Sequence, residues 1–144
     1  MKNNTKLWTK NFIIIILINF LVFLNHLMVL STFPIFVSEV LKKSDSTAGM
    51  CATAFSLVAV VCRPLVGWML DNGKRRSVLV IGICGMALMP MGYLISGTLI
   101  MSATLAIICR MAHGVSLAFA NTSTSTIATD IIPKQRFSEG MGMF

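Results

Sequence analysis

Four long apolar runs, separated by short polar connections, constrain this chain more than any other feature of its sequence. They cover residues 12–37, 48–70, 78–95 and 99–127, with each bound given to about a turn of helix. A helix that crosses the hydrocarbon core of a bilayer needs about 20 apolar residues, and an isolated strand there would leave its backbone groups without hydrogen bonds. The sequence therefore predicts an all-α integral membrane protein with four transmembrane helices.

The composition supports a membrane protein over a soluble one. Of the 144 residues, 56% are hydrophobic and 12% are charged, whereas a soluble domain usually has about 25% charged residues. The net charge of +7 does not indicate a nucleic-acid partner, because the cations are confined to short segments between the apolar runs. We expect a lipid bilayer as the surroundings and no nucleic acid as a partner.

The distribution of cations predicts the direction in which the chain crosses the membrane. Lysine and arginine concentrate on the cytoplasmic side. If the spans alternate, eight cations fall on one side and two on the other: Lys2, Lys6, Lys10, Lys74, Arg75, Arg76, Lys134 and Arg136 against Lys42 and Lys43. The N-terminus of this multi-pass protein is therefore predicted to be cytoplasmic.

Arg110 is the most costly residue of the apolar runs. It lies about 11 residues into the fourth run, or ~17 Å deep at 1.5 Å per residue, where an arginine costs at least about 2.5–3.5 kcal/mol. We expect it to face the interior of the bundle or a wet cavity and to find an anionic or carbonyl partner. The alternative is a structural arginine whose donors are satisfied by backbone carbonyls.

Asn25 and His26 interrupt the first run at a depth that approaches that of Arg110. Histidine is the side chain whose unperturbed pKa lies near neutral pH. The functional interpretation is a substrate-cavity wall, with His26 in proton coupling. The alternative for His26 is a neutral ring that is hydrogen-bonded between helices.

The connection between the second and third runs combines a glycine, an aspartate and a burst of cations. Gly67 lies one turn before Asp71 and is expected to let a neighbouring helix come close. An anion is unfavourable at a helix C-terminus, so we expect Asp71 to have a specific cationic partner or N–H donors from another helix. The cations that follow Gly73 are Lys74, Arg75 and Arg76.

Asp130 is the candidate acid for these cations, because it lies at the same end of the fourth run. The pair would form a cytoplasmic ion-pair latch between spans. The alternative is a plain positively charged anchor at the membrane surface.

Several further features have a structural interpretation. Arg63 is close enough to the cytoplasmic end of the second run for its long stem to reach towards water, and the polar run 121–126 is expected to pack against neighbouring helices. Bending is expected in the third run, which contains Gly82, Gly85, Pro90 and Gly92. No metal site, cofactor site or catalytic nucleophile–base pair is predicted, so we do not expect an enzyme.

Three segments, in order along the chain, resemble motifs of the major facilitator superfamily. Residues 67–76, GWMLDNGKRR, are similar to its signature loop between spans two and three, although the second glycine comes one position early. Residues 110–114, RMAHG, resemble its arginine-plus-glycine motif in span four. Residues 130–140, DIIPKQRFSEG, resemble the loop that leaves span four in the drug- and sugar-efflux branches.

This resemblance implies a fold of two six-helix bundles around a central cavity that opens alternately to each side. It implies proton-coupled efflux of small molecules across a cell membrane, the bacterial inner membrane by analogy. The chain would be an N-terminal fragment with the start of a fifth span after about residue 138. It would need the missing C-terminal helices to transport.

The resemblance also implies roles for particular residues. The cytoplasmic gate would comprise Gly67, Asp71, Gly73, Lys74, Arg75, Arg76 and Asp130, and the coupling and substrate cavity would comprise Arg110, Gly114, Asn25 and His26. Two alternatives stay open: a dimeric four-span transporter of the small multidrug-resistance type, and an accessory subunit. The first run lacks the acidic residue on which the small multidrug-resistance class depends.

Overall fold

The computed structural model describes residues 6–98 and 101–144, which form helices and no strand. Four long helices follow one another along the chain: α1 (Lys10–Ile35), α2 (Asp45–Asp71), α3 (Arg75–Thr98) and α4 (Ala103–Ile131). Each is long and apolar enough to cross a membrane. These findings confirm the all-α fold with four candidate transmembrane helices.

Short helical segments complete the described chain. A π-helical turn, Phe36–Val40, continues α1, and a 3₁₀ turn, Lys134–Arg136, leads into the short helix α5 (Phe137–Met143). The helix α5 lies where the sequence predicted the start of a fifth span.

The long helices start and end a few residues away from the predicted boundaries. Local caps explain two of the starts: the side chain of Thr9 accepts a hydrogen bond from the Phe12 N–H before α1, and that of Ser102 accepts one from the Leu105 N–H before α4. The fourth helix was predicted to begin near Leu99, which lies outside the described residues. Within the described residues, α4 begins at Ala103.

Gly73 makes the tight turn between α2 and α3. Its φ angle of +76° is in the left-handed region that favours glycine. The N–H of Gly73 donates to the carbonyl of Leu70, and the N–H of Lys74 donates to that of Met69. These bonds satisfy carbonyls that the end of a helix leaves free, so the position of Gly73 suits the turn that follows α2.

The helix α4 forms the centre of the bundle, in contact with α1, α2 and α3. Ten of its residues are buried, against five in α1, five in α2 and six in α3. Many of the ten are small or polar. A side-chain hydrogen bond of 3.1 Å from Thr124 to Asn19 joins α4 to α1, so part of the polar run 121–126 serves helix packing, as predicted.

The glycines of α3 allow α4 to come very close. A Cβ atom on Gly82 would lie 2.4 Å from the backbone nitrogen of Ala120, and one on Gly85 would lie 2.1 Å from the Ser116 hydroxyl oxygen. The helix α3 passes Pro90 as one continuous helix. Gly82 and Gly85 therefore serve close packing, which small residues permit in membrane helices, and the bending of α3 stays a prediction.

Two apolar clusters define the ends of the bundle. One brings Phe12, at the start of α1, together with Ala128, near the end of α4. The other brings Phe33, near the end of α1, together with Tyr93 and Ala106. The start of α1, the α2–α3 turn and the end of α4 therefore share one end of the bundle, which also holds most of the cations.

The outward faces of the long helices carry large apolar side chains. Phe20, Leu57 and Leu94 are 59%, 63% and 65% exposed. A helix that is apolar around its whole circumference is typical of a membrane span. Lipid is therefore the natural environment of these faces.

Candidate functional site

The candidate site is built around Arg110, whose guanidinium carbon lies over two phenyl rings. Its Cζ atom is 4.7 Å from the ring centroid of Phe33 on α1 and 4.3 Å from that of Phe55 on α2. Arg110 is only 1% exposed. A guanidinium over an aromatic face is attracted by the ring quadrupole, most strongly where water is excluded, so the two rings stabilise the buried charge.

The anionic or carbonyl partner expected for Arg110 is not found among the described residues. Its Nε and Nη1 atoms are buried without a hydrogen-bond partner. The salt bridges of the described residues join Arg75 to Asp130 and Arg136 to Glu139, and neither includes Arg110. Aromatic faces stand where the sequence predicted an anion or a carbonyl.

Arg110 also lies nearer to one end of its helix than predicted. It is seven residues after Ala103, the first residue of α4, which corresponds to about 10 Å along the helix axis instead of ~17 Å. The difference arises because the cap at Ser102 starts the helix later than the apolar run does. Arg110 is therefore close to the cluster that contains Phe33, Tyr93 and Ala106.

His113 lies one turn after Arg110, on the same side of α4. It is fully buried, and its Nδ1 atom is 2.8 Å from the hydroxyl oxygen of Tyr93 on α3. Its Nε2 atom is buried without a hydrogen-bond partner. The His113 ring meets the Phe55 ring edge to face, with centroids 5.7 Å apart. The Phe55 ring thus contacts two basic side chains of α4, those of Arg110 and His113.

Asn25 and His26 are neighbours in sequence but face different helices. The His26 ring stacks on Phe55, with centroids 5.2 Å apart and an interplanar angle of 9°, so it belongs to the surroundings of Arg110. Asn25 lines a cleft of about 180 Å³ between α1 and α3, with Val22 and Met86. The structure therefore brings His26, but not Asn25, beside the aromatic ring that covers Arg110.

Asn25 and His26 each have a polar atom that lacks a hydrogen-bond partner. Asn25 Oδ1 and His26 Nδ1 are buried without a hydrogen-bond partner. The alternative interpretation of His26 as a ring hydrogen-bonded between helices does not hold for its Nδ1 atom.

Gly114 positions α2 against α4. A Cβ atom on Gly114 would lie 2.6 Å from the backbone oxygen of Phe55. Only the missing side chain allows this approach, which carries the Phe55 ring to the guanidinium of Arg110. The described contact of Gly114 is thus with a helix backbone.

At the opposite end of α4, the Arg75 Nη1 group donates to Asp130 Oδ2 in a salt bridge that joins α3 to α4. The side chains are 45% and 41% exposed. This is the pairing of the loop cations with Asp130 that the sequence predicted.

The other residues of the α2–α3 turn lack such contacts in the described part of the chain. Asp71, Lys74 and Arg76 are exposed, and the salt bridges found there include none of them. Apart from its chain neighbours and the nearby backbone of its own helix, no heavy atom of a described residue lies within 4 Å of the position that a Cβ on Gly67 would take. The close helix approach expected at Gly67 is therefore absent among the described residues.

Arg63 lies beside the polar run of α4. A groove of about 280 Å³ is lined by Arg63 of α2 and by Asn121, Thr122 and Ser125 of α4. This arrangement gives the interface between α2 and α4 a polar, cationic surface.

Four residues of the site were not identified from the sequence: Phe33, Phe55, Tyr93 and His113. The aromatic residues resemble any other apolar residue of a membrane span. The spacing of Arg110 and His113 is the signal that was available, because residues three apart lie on one face of a helix.

Comparison with known proteins places these features in a family context. The family model described as Major Facilitator Superfamily matches residues 15–144. The chain is 25% identical over 122 residues to the "Uncharacterized MFS-type transporter YhhS" of Escherichia coli strain K12, a match that covers 82% of this chain and 30% of the relative. A relative of the same name from Shigella flexneri matches with the same identity and coverage.

The chain thus spans about 30% of the length of these curated relatives. No solved structure gives a significant match to the chain.

Proposed function

The chain belongs to the major facilitator superfamily, and from that premise we propose that it forms part of a proton-coupled exporter of small molecules. In such a transporter two helical bundles rock against each other around a substrate site near the middle of the membrane. Our proposal includes a bacterial inner membrane, a cytoplasmic N-terminus, and further helices supplied by the remainder of a longer protein.

One observation carries the proposal: the central helix α4 bears both the buried Arg110 and the ion-paired Asp130. The two residues are 20 positions apart, which corresponds to about 30 Å along a helix. A rigid helix that contacts all three other long helices can transmit a displacement from one of these residues to the other. We assign Arg110, with Gly114 and His26 beside Phe55, to coupling and substrate binding, and Asn25 to the wall of a separate cleft.

The Arg75–Asp130 pair is the proposed cytoplasmic gate, together with Gly67, Asp71, Lys74 and Arg76 in the α2–α3 turn and the helix ends beside it. An exposed ion pair contributes only about 0–1 kcal/mol to stability. The pair can therefore break and re-form during a transport cycle without a large energetic penalty. Gly73 shapes the turn that places Arg75 at the start of α3.

A chimera tests this function. Residues 15–144 replace the matching segment of the Escherichia coli relative, and inverted membrane vesicles are energised so that acridine orange reports the proton gradient. We expect a subset of a panel of dyes, sugars and organic acids to dissipate the gradient through exchange with protons. Replacing Arg110 by alanine and Asp130 by asparagine should each abolish that response.

Glu139→Gln is the matched control for Asp130→Asn. Glu139 also forms a salt bridge at this end of the bundle, but with Arg136, three residues away. The control is expected to retain exchange. A chimera that inserts in the membrane and exchanges equally well with and without the Arg110 guanidinium would contradict the proposed coupling.

A further inference from the structure

Four buried polar atoms without partners gather around one aromatic ring. They are Nε and Nη1 of Arg110, Nε2 of His113 and Nδ1 of His26. All three side chains contact Phe55: the Arg110 Cζ is 4.3 Å from the ring centroid, and the centroids of His26 and His113 are 5.2 Å and 5.7 Å from it. Leaving a buried donor unpaired costs about 1–3 kcal/mol, and more for a charged group.

The geometry of Arg110 limits what can satisfy it. The Cζ atom of Arg110 lies over the rings of Phe33 and Phe55, and cation–π attraction does not supply an acceptor to an N–H group. The donors of a guanidinium point outward in its plane, in a fork that matches the two oxygens of a carboxylate or the oxygens of a phosphate. The Nε and Nη1 donors therefore lack an oxygen acceptor, which a planar or tetrahedral oxyanion can supply.

The charges around the Phe55 ring indicate a negatively charged ligand. Arg110 is cationic, both histidines are basic, and none of the salt bridges in the described ranges 6–98 and 101–144 brings an acid to them. When the Tyr93 hydroxyl donates to Nδ1 of His113, the ring proton resides on Nε2, which is then a further unpaired donor. A cationic fork with a neutral donor one helical turn away suits an oxyanion.

We propose that Arg110 and His113, with His26 on the opposite helix, bind an anionic oxygen group of a small molecule, a carboxylate or a phosphate. The rings of Phe33 and Phe55 stay beside the guanidinium carbon while the unpaired N–H groups bind the anion. The assignment of this group to the transported molecule rests on the function proposed above, whereas binding itself does not.

Nitrogen-15 NMR of the arginine side chains tests binding directly. The chain has five arginines, so the purified 144-residue chain in detergent micelles, labelled at Nε, should give few resonances, and Arg110→Lys identifies that of Arg110. Titration with acetate or with inorganic phosphate, at constant ionic strength set with chloride, should shift the Arg110 Nε–H resonance in a saturable manner. The unfolding temperature, followed through Trp8 and Trp68 fluorescence, should rise by several degrees with the same anions.

The controls separate the buried fork from other cations. Arg63→Gln removes an arginine of a neighbouring groove and should leave the response intact, whereas Arg110→Gln should remove the anion-dependent rise in unfolding temperature. Arg110→Lys keeps the charge but not the fork, and its affinity should fall at least tenfold. Retained helical circular dichroism shows that each variant is folded.

The outcomes decide both the site and its ligand. Saturation by acetate and phosphate alike supports a free inorganic or organic oxyanion, and saturation by acetate alone supports the carboxylate of an organic acid. The absence of a saturable shift at Arg110, or an equal response in Arg110→Gln, overturns the anion site. Binding by the chain together with an inactive chimera would count against transport and not against the site.

Discussion

At Arg110, the carbon centre and the nitrogen atoms of one guanidinium meet different surroundings. Its Cζ atom lies over the rings of Phe33 and Phe55, whereas Nε and Nη1 contact no acceptor among the described atoms. Charge stabilisation and hydrogen bonding, which usually come together in a salt bridge, are separated here. The stabilisation of the Arg110 charge by the rings can be tested without any ligand.

Replacing Phe55 by leucine removes the closer of the two rings. Cation–π contacts contribute about 0.5–1 kcal/mol when exposed and about 2 kcal/mol or more when desolvated. In a double-mutant cycle with Arg110→Gln, we expect a coupling energy of about 1–2 kcal/mol, because the attraction exists only when both groups are present. Unfolding by SDS in mixed micelles measures the four stabilities.

Phe20→Leu provides the matched control, since Phe20 is 59% exposed on the outer face of α1. Its cycle with Arg110→Gln should give a coupling energy near zero. An equally small coupling for Phe55 would show that the ring serves only as apolar filling.

The site residues divide into those that a sequence can indicate and those that it cannot. A charge within an apolar run or at its end is conspicuous, so the sequence indicates Arg110, Asp130 and the loop cations. An aromatic residue in such a run has the same appearance whether it faces lipid, as Phe20 does, or a guanidinium, as Phe55 does. Only the packing of the helices distinguishes the two.

Among the elements, α4 is held by very short distances between backbones. A Cβ atom added to Gly82 or Gly114 would meet backbone atoms of Ala120 or Phe55, which cannot move aside as a flexible side chain does. Membrane helices associate through such close packing, since the surrounding lipid is as apolar as the side chains.

Gly82→Ala should therefore destabilise the contact between α3 and α4. The added Cβ would lie 2.4 Å from the Ala120 nitrogen, and overpacking of this kind costs about 1–3 kcal/mol. Gly49→Ala is the control, because no heavy atom of a described residue lies within 4 Å of its Cβ position. Unfolding by SDS should show a loss of stability for Gly82→Ala and none for Gly49→Ala. Equal stabilities of the two variants would refute the close approach of α3 and α4.

The helices themselves were predictable from hydropathy, but their ends were not. The apolar runs gave the number and order of the long helices. The capping by Ser102 places the start of α4 at Ala103, only seven residues before Arg110. The end of a helix is determined by a few backbone hydrogen bonds. A count of apolar residues does not detect those bonds.

For the whole molecule, the two ends of the bundle differ in charge. The start of α1, the α2–α3 turn and the segment after α4 lie at one end, and Lys42 and Lys43 lie in the connection at the other. We expect green fluorescent protein fused after residue 74 to fluoresce in the cytoplasm of Escherichia coli, and alkaline phosphatase fused after residue 43 to be active outside it.

Exchanging the two reporters should reverse both signals. Neutralising Lys74, Arg75 and Arg76 together by glutamine should yield mixed orientations, because these cations contribute to the asymmetry. Reporters that place residues 43 and 74 on the same side of the membrane would contradict a second helix that spans it.

The divergence of Asn25 and His26 has a consequence for measuring motion. Adjacent positions on a helix point about 100° apart, and here one side chain lines the α1–α3 cleft while the other stacks on α2. If α1 turns about its long axis, spectroscopic labels at the two positions would change environment simultaneously, one gaining freedom as the other loses it. If α1 tilts as a rigid rod, the two labels would instead respond independently, so a single pair of adjacent probes discriminates rolling from tilting.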